Sequence, residues 1–105
     1  MWLSDDWLIK RNKVPYQGAK EHLLFIPREH ITTFEELVPK WNQIPELVAW
    51  AKDKYGKGGS LVVRLGTFEE TGSTVQHLHL HWIVRQDSPD APTVYAHFGP
   101  KKYKM

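Results

Sequence analysis

The fold of this chain is predicted from one stretch, Gly72-Ser73-Thr74-Val75-Gln76-His77-Leu78-His79-Leu80-His81-Trp82-Ile83. It carries three of the six histidines, and each of them is followed by an apolar residue. Alternation with a period of two is typical of a β-strand, because successive side chains point to opposite faces. We therefore predict a strand on which His77, His79 and His81 share one face, about 6–7 Å apart, while the apolar side chains between them enter a core.

Three aligned imidazoles have three interpretations. The first is a solvent-facing polar stripe on an amphipathic strand. The second is a metal site, since a His-X-His pair can bind one zinc ion, but the usual further carboxylate or thiolate ligand is absent between His77 and Arg85. The third is phosphoryl chemistry, because imidazole attacks phosphorus well and its protonated form stabilises phosphate oxygens. The Gly-Ser-Thr segment before the strand offers N–H groups and hydroxyls to an anion.

Length and composition indicate an ordinary small globular domain. The chain has 105 residues, 41% of them hydrophobic and 25% charged, which fits a single core. Its net charge of +2 does not favour a general nucleic-acid-binding protein. The absence of cysteine excludes disulfides and is compatible with the cytoplasmic location that we expect. No signal-peptide pattern opens the chain and no apolar run approaches ~20 residues, so we expect no contact with a membrane.

Local patterns predict the remaining elements. Strands are expected at 6–12, 22–27 and 60–65, and a further strand at 93–98. Capping-box spacing at Thr32 and Thr33 predicts a short helix that ends before Pro39. A second, amphipathic helix is expected from about Asn42, which would cap it, to Tyr55. The connection 66–72 is predicted to be hairpin-like and solvated, and residues 86–92 to be a loop.

Two blocks of the chain together resemble the histidine triad superfamily. His-Leu-His-Leu-His-Trp-Ile at 77–83 matches its histidine motif, and Gly-Ser-Thr-Val-Gln at 72–76 is similar to its lead-in. His22-Leu-Leu-Phe-Ile-Pro-Arg-Glu-His30-Ile resembles its other recurrent block. The resemblance implies a single α+β, HIT-like domain over 1–105, with a core at about 6–85 and a C-terminal loop and tail at 86–105. It implies about five mostly antiparallel strands, two helices and a homodimer.

The same resemblance implies a nucleotide hydrolase or phosphoramidase that acts on the α-phosphate of a dinucleoside polyphosphate or a nucleoside phosphoramidate. His79 is then the nucleophile, and water hydrolyses the nucleotidyl-histidine that forms; a backbone carbonyl would hold the proton on the other ring nitrogen of His79. His81 meets the phosphate oxygens, His77 supports the cluster, and the hydroxyl of Thr74 contacts the bridging atom or the leaving group. Transferase branches tend to have Gln at the third position, so His81 favours hydrolysis. No metal and no cofactor is expected.

The resemblance also implies nucleotide or phosphate contacts, for which the candidates are Asn12, His22, Arg64, Gly72 and Ser73. Asn12 would touch the ribose or, alternatively, simply open a surface turn. Arg64 stands where relatives carry Asn or Gln, and it would either reach a phosphate or face solvent. Ser73 replaces the usual Gln. A nucleotide-binding protein with little or no catalysis therefore stays open as an alternative, and a zinc-binding module is a third interpretation. His30 is expected to be structural.

Overall fold

The computed structural model describes residues 5–66, 68–71, 77–96 and 98–99. The elements in chain order are β1 (Trp7–Arg11), β2 (Ala19–Pro27), a 3-10 helix (Glu35–Gln43), α1 (Ile44–Tyr55), β3 (Ser60–Val63), α2 (Phe68–Thr71) and β4 (Leu80–Arg85). None of the helices in this described part is long and apolar enough to cross a membrane.

The four strands form one antiparallel sheet in the order β1-β2-β4-β3. The α+β class and the antiparallel sheet are as predicted. β2 and β4 are the central strands, and their register pairs His22 with Ile83 and Leu24 with His81. Directly paired residues of an antiparallel sheet lie on the same face. His22 and His81 are therefore diagonal neighbours on one face of the two central strands.

The opposite face of the sheet carries the core. Alternate residues of the strands meet buried residues of the helical segment there: Trp7, Ile9, Leu23, Phe25, Leu80, Trp82 and Val84 pack with Leu37, Leu47 and Ala51. Trp7 also donates a hydrogen bond from Nε1 to Oε1 of Gln43, 2.8 Å away, which ties β1 to the end of the 3-10 helix. The histidine face is thus the one that the helices leave uncovered.

The helical segment differs from the two separate helices predicted. The 3-10 helix runs through Pro39 and joins α1 without a break, and Gln43, not Asn42, precedes α1 and makes no capping bond from its side chain. In an α-helix a proline ring clashes with the carbonyl four residues back, whereas 3-10 winding directs hydrogen bonds three residues back. Pro39 therefore lies within a continuous 3-10 segment instead of ending the helix. The predicted start is present in part: Glu36 accepts hydrogen bonds from the backbone of Thr32 and Thr33, but the helix begins only at Glu35, after Phe34.

The histidine stretch also differs from prediction. β4 begins only at Leu80, so His77 and His79 precede the strand. Leu78 is buried and donates its N–H to the carbonyl of Ile31 at 2.7 Å, which takes the backbone away from a strand partner. Half-buried and buried residues alternate only from His77 to Leu80, and the predicted common face of all three histidines is absent.

Two further expectations are wrong. Residues 93–96 and Phe98 form no strand, so the described sheet has four strands and not about five. The segment instead passes the turn at Gly18, where Thr93 and Val94 would each lie 3.8 Å from a methyl group added to that glycine. The 66–72 connection contains the short helix α2, which ends at the buried Thr71, so it is not simply a solvated hairpin.

Candidate functional site

A buried pair of imidazoles lies at the centre of the sheet face that is opposite the helical core. His22 on β2 and His81 on β4 are only 2% and 6% exposed. Nε2 of His22 lies 2.8 Å from Nδ1 of His81, a hydrogen-bonding distance. The diagonal register of the two central strands produces this contact, although the residues are 59 positions apart in sequence.

The neighbours of His22 determine which nitrogens of the pair carry protons. The backbone N–H of Tyr16 donates to Nδ1 of His22 at 3.1 Å. A backbone N–H can only donate, so Nδ1 of His22 must accept, and its neutral ring carries the proton on Nε2. That proton points to Nδ1 of His81, which accepts and leaves the proton of His81 on Nε2. Among the described residues, this buried Nε2 has no hydrogen-bond partner.

Both imidazoles of the pair are neutral at neutral pH. Burial, and then the positive charge of Arg64, lowers the pKa of His22 to about 4. Burial, and then the repulsion that protonated His79 or His22 would exert, lowers the pKa of His81 to about 3. Loss of hydration disfavours the charged form of an imidazole. The proton assignment of the pair therefore holds over the physiological range.

His79 presents a nitrogen lone pair beside this pair. Its Nδ1 lies 3.0 Å from the backbone carbonyl of His77. A carbonyl only accepts, so Nδ1 of His79 carries the proton and Nε2 keeps the lone pair. The ring centres of His79 and His81 are 4.8 Å apart. The site thus combines a nucleophilic nitrogen with a neighbouring N–H donor.

The side chain of His77 turns away from the other two triad histidines. Its Nε2 lies 3.0 Å from the carbonyl of Glu29, and its ring meets that of the exposed His30 edge-on, 5.1 Å between centres. His77 also lines a cavity of about 470 Å³ together with Leu8 and Ile26 of the same sheet face. The contact of His77 with His79 is therefore made by its backbone carbonyl.

Asn12 and Arg64 both lie beside the buried pair. Oδ1 of Asn12 accepts the N–H of Val14 at 3.1 Å, and its Nδ2 is 3.4 Å from Nε2 of His22, longer than the contact of that nitrogen with His81. Asn12 thus forms the turn and borders the site at once. Arg64 donates from Nη2 to the hydroxyl of Tyr16 at 2.7 Å and from Nη1 to the carbonyl of Thr71 at 2.5 Å.

Tyr16 is a site residue that the sequence analysis missed. Its ring stacks on His81 with an interplanar angle of 17° and meets His22 edge-on, at centre distances of 5.8 and 4.3 Å. The only signal in the sequence is an aromatic residue inside a turn marked by Pro15 and Gly18. Phe98 was missed as well, and its ring lies 5.0 Å from the guanidinium carbon of Arg64.

The remaining predicted site residues, Gly72, Ser73 and Thr74, lie outside the described residues. In the described ranges, no group of three or more His, Asp or Glu side chains is arranged to hold a metal ion.

Comparison with known families identifies the chain. A family model described as scavenger mRNA decapping enzyme C-term binding matches residues 3–94, which include all four strands and His22, His77, His79 and His81. No curated protein sequence matches the chain. The match covers most of the sequence and confirms the predicted resemblance. The chain belongs to the family of the scavenger mRNA decapping enzyme C-terminal domain, which is a histidine triad family.

Proposed function

We propose that this chain hydrolyses a nucleotide conjugate at its α-phosphate, with His79 as the nucleophile. The observation that carries the proposal is the contact of Nδ1 of His79 with the carbonyl of His77, because it leaves a lone pair on Nε2. Next to it, the proton on Nε2 of His81 is the donor that a phosphate oxygen requires. Phosphoryl transfer through an imidazole needs one ring nitrogen with a lone pair, here Nε2 of His79, and a nearby N–H donor, here Nε2 of His81.

The proposed reaction has two displacements. In the first, the lone pair on Nε2 of His79 forms a bond to the α-phosphorus, and the bond from phosphorus to the leaving group breaks, with its electron pair leaving on that group. In the second, water forms a P–O bond and loses a proton to solvent, and the P–N bond breaks with its electron pair returning to Nε2 of His79, which releases a nucleoside monophosphate and restores His79. One difficult step is thus divided into two easier ones. The hydroxyl of Thr74 and the backbone at Gly72 and Ser73 are proposed to assist, on the resemblance alone.

The substrate class that we propose is a dinucleoside polyphosphate. The family name refers to an mRNA decapping enzyme. An mRNA cap is a methylated guanosine joined through three phosphates to the next nucleotide, so it is itself a dinucleoside polyphosphate. Arg64 and His81 supply two donors near such phosphates, and Asn12 is proposed to contact a ribose. This name favours a capped dinucleotide over a phosphoramidate.

The test measures turnover of a capped dinucleotide, diadenosine triphosphate and adenosine phosphoramidate, each with a metal chelator present. We expect wild type to release a nucleoside monophosphate from the capped dinucleotide fastest, and His79→Asn to lose roughly 10³-fold or more in kcat. His30→Asn is the matched control, since His30 is an exposed histidine outside the pair. Full activity of His79→Asn would refute the nucleophile, and a preference for the phosphoramidate would refute the substrate class.

The second candidate is a nucleotide-binding protein with little or no catalysis. The observation that favours it is Arg64, which differs from the family pattern and is engaged by Tyr16 and Thr71. Tight binding of the capped dinucleotide by calorimetry, without release of any monophosphate, would support this candidate. The third interpretation, a zinc module, requires stoichiometric zinc in the purified protein that is lost on replacing His77 or His81.

We also propose that the chain forms a homodimer through β3. β3 is an edge strand, and beside it lies a cavity of about 310 Å³ lined largely by apolar residues, among them Phe34, Trp41 and Leu61. Trp41 and Leu61 are 49% and 42% exposed, and an open edge next to exposed apolar residues favours pairing with a second chain. Light scattering should give a dimer for wild type and a monomer for Trp41→Glu. Val14→Glu, at another exposed apolar position, is the control that should stay dimeric.

A further inference from the structure

We propose that Tyr16 is the positioning residue of this site: its backbone N–H sets the proton positions of His22 and His81, and its side chain holds Arg64 and His81 in place. Tyr16 lies in the loop between β1 and β2 and belongs to neither of the two sequence blocks that resemble the histidine triad superfamily. The inference rests on the proposed function for its effect on catalysis, whereas the proton positions can be measured without any turnover.

The loop holds Tyr16 in a defined place. Its carbonyl accepts the N–H of Ala19 at 3.1 Å, and Gly18 between them has a φ of +90°, which a residue with a side chain rarely adopts. On the other side, the N–H of Asn12 donates to the carbonyl of His22 at 2.8 Å. The N–H, the carbonyl and the hydroxyl of Tyr16 each have a partner. A turn with so many fixed groups holds the Tyr16 N–H against the ring of His22.

The backbone N–H of Tyr16 decides between two proton arrangements of the pair. With this donor, the proton of His22 is on Nε2 and that of His81 is on its own Nε2. Without it, His22 is free to carry the proton on Nδ1, and Nδ1 of His81 must then be the donor of their shared hydrogen bond. Nε2 of His81 would present a lone pair in that arrangement, and a lone pair repels phosphate oxygens. The N–H of Tyr16 therefore selects the arrangement that can bind a phosphate.

The side chain of Tyr16 contacts His81 and Arg64, whereas its backbone N–H contacts His22. Its ring stacks on His81, and its hydroxyl accepts a hydrogen bond from Arg64 at 2.7 Å. The guanidinium carbon of Arg64 lies 5.9 Å from the centre of the Tyr16 ring and 5.0 Å from that of Phe98. Removing only the hydroxyl therefore loosens Arg64 without touching the histidine pair. The two functions of Tyr16 can be separated by substitution.

The first measurement is ¹⁵N NMR of the imidazole rings at pH 7 in wild type, Tyr16→Phe, Tyr16→Ala and Tyr16→Pro. Proline has no N–H, whereas phenylalanine and alanine keep it. We expect protonated Nε2 on both His22 and His81 in wild type, Tyr16→Phe and Tyr16→Ala, and a mixture of tautomers in Tyr16→Pro. Protonated Nδ1 on His22 in wild type would overturn the proposal, and this arm does not depend on whether the proline variant folds.

The second measurement separates kcat from KM with the capped dinucleotide. Tyr16→Phe should raise KM several-fold with kcat nearly unchanged, because this substitution removes only the hydrogen bond from Arg64 to the Tyr16 hydroxyl. Tyr16→Pro should lower kcat by about 10²-fold, as a misplaced reacting group does, and Tyr16→Ala should lower it less than Tyr16→Pro. Equal kinetics in Tyr16→Ala and a folded Tyr16→Pro would overturn the role of the N–H. If wild type has no turnover but shows the expected tautomers, the proposed function fails and the positioning role stands.

Discussion

Acidification should destabilise the fold through the buried pair of His22 and His81. The pKa of His22 is lowered to about 4 and that of His81 to about 3 in the folded chain, from an ordinary value of 6.5. Below pH 6.5 the unfolded chain therefore takes up protons that the folded chain does not, and stability falls as the pH falls. The loss begins near pH 6.5 and continues until the folded pKa values are reached.

The size of this effect follows from the two pKa values. For a group with a pKa of 6.5 unfolded and 3 to 4 folded, the free energy of unfolding falls by about 2 kcal/mol between pH 7 and pH 5. The two histidines together should therefore lower the free energy of unfolding by about 4 kcal/mol between pH 7 and pH 5. A typical domain has a free energy of unfolding of roughly 5–15 kcal/mol, so this is a large share of it. Hydrogen bonds lower the pKa of Asp6, Glu36 and Asp87. Protonation of these carboxylates therefore lowers the stability of the fold only at still lower pH.

The assay is urea denaturation at pH 7, 6 and 5, followed by tryptophan fluorescence, for which Trp7 and Trp82 are buried probes. We expect the midpoint to fall steeply with pH while the m-value stays constant. His30→Gln, at an exposed histidine outside the pair, is the matched control. If the free energy of unfolding differs by less than about 1 kcal/mol between pH 7 and pH 5, His22 and His81 are not held neutral in the folded chain.

Three substitutions test the packing and the local structure. Gly59→Ala would place a methyl group 2.6 Å from a backbone oxygen of β4 and should cost about 1–3 kcal/mol in urea denaturation, whereas Gly58→Ala, with nothing within 4 Å, should be nearly neutral. Gly56→Ala should cost about 1 kcal/mol, because Gly56 ends α1 at a φ of +66° with open space around it. Glu36→Ala should lower the melting temperature at pH 7 because the start of the helical segment loses its acceptor, and an equal loss in Glu35→Ala would contradict this.

Side-chain patterns predicted the sheet well, because they follow from which residues can be buried. Alternation around Leu80 and Trp82, and the apolar run after His22, predicted two strands that the structure places at the centre of the sheet. The likeness to a known motif also made His22 a candidate site residue, and the structure places it within hydrogen-bonding distance of His81. What the patterns could not supply is Tyr16, since its contribution to His22 comes from a backbone N–H that every residue except proline possesses.

The errors arose where tertiary partners compete with local preference. His77 leaves the strand face because the backbone around it pairs with Ile31 and its ring reaches Glu29, both in a loop nearly fifty residues away. Pro39 was expected to end a helix, yet it lies inside a 3-10 helix that continues to Gln43. Thr93 and Val94 belong to a stretch with the composition of a strand, but they lie against the Gly18 turn instead of a sheet edge.

The order of the strands separates the buried histidine pair from the residues proposed to contact a nucleotide. The imidazole pair sits on the central strands β2 and β4, whereas Asn12 and Arg64 directly follow the edge strands β1 and β3. Edges of a sheet open at a lower free-energy cost than its centre. Mild heating or low urea would therefore first displace Asn12 at the edge strand β1, which the proposed dimer through β3 leaves unpaired, while the pair of His22 and His81 stays in place. The ribose contact proposed for Asn12 should therefore be lost first under these conditions, and the hydrogen bond between His22 and His81 last.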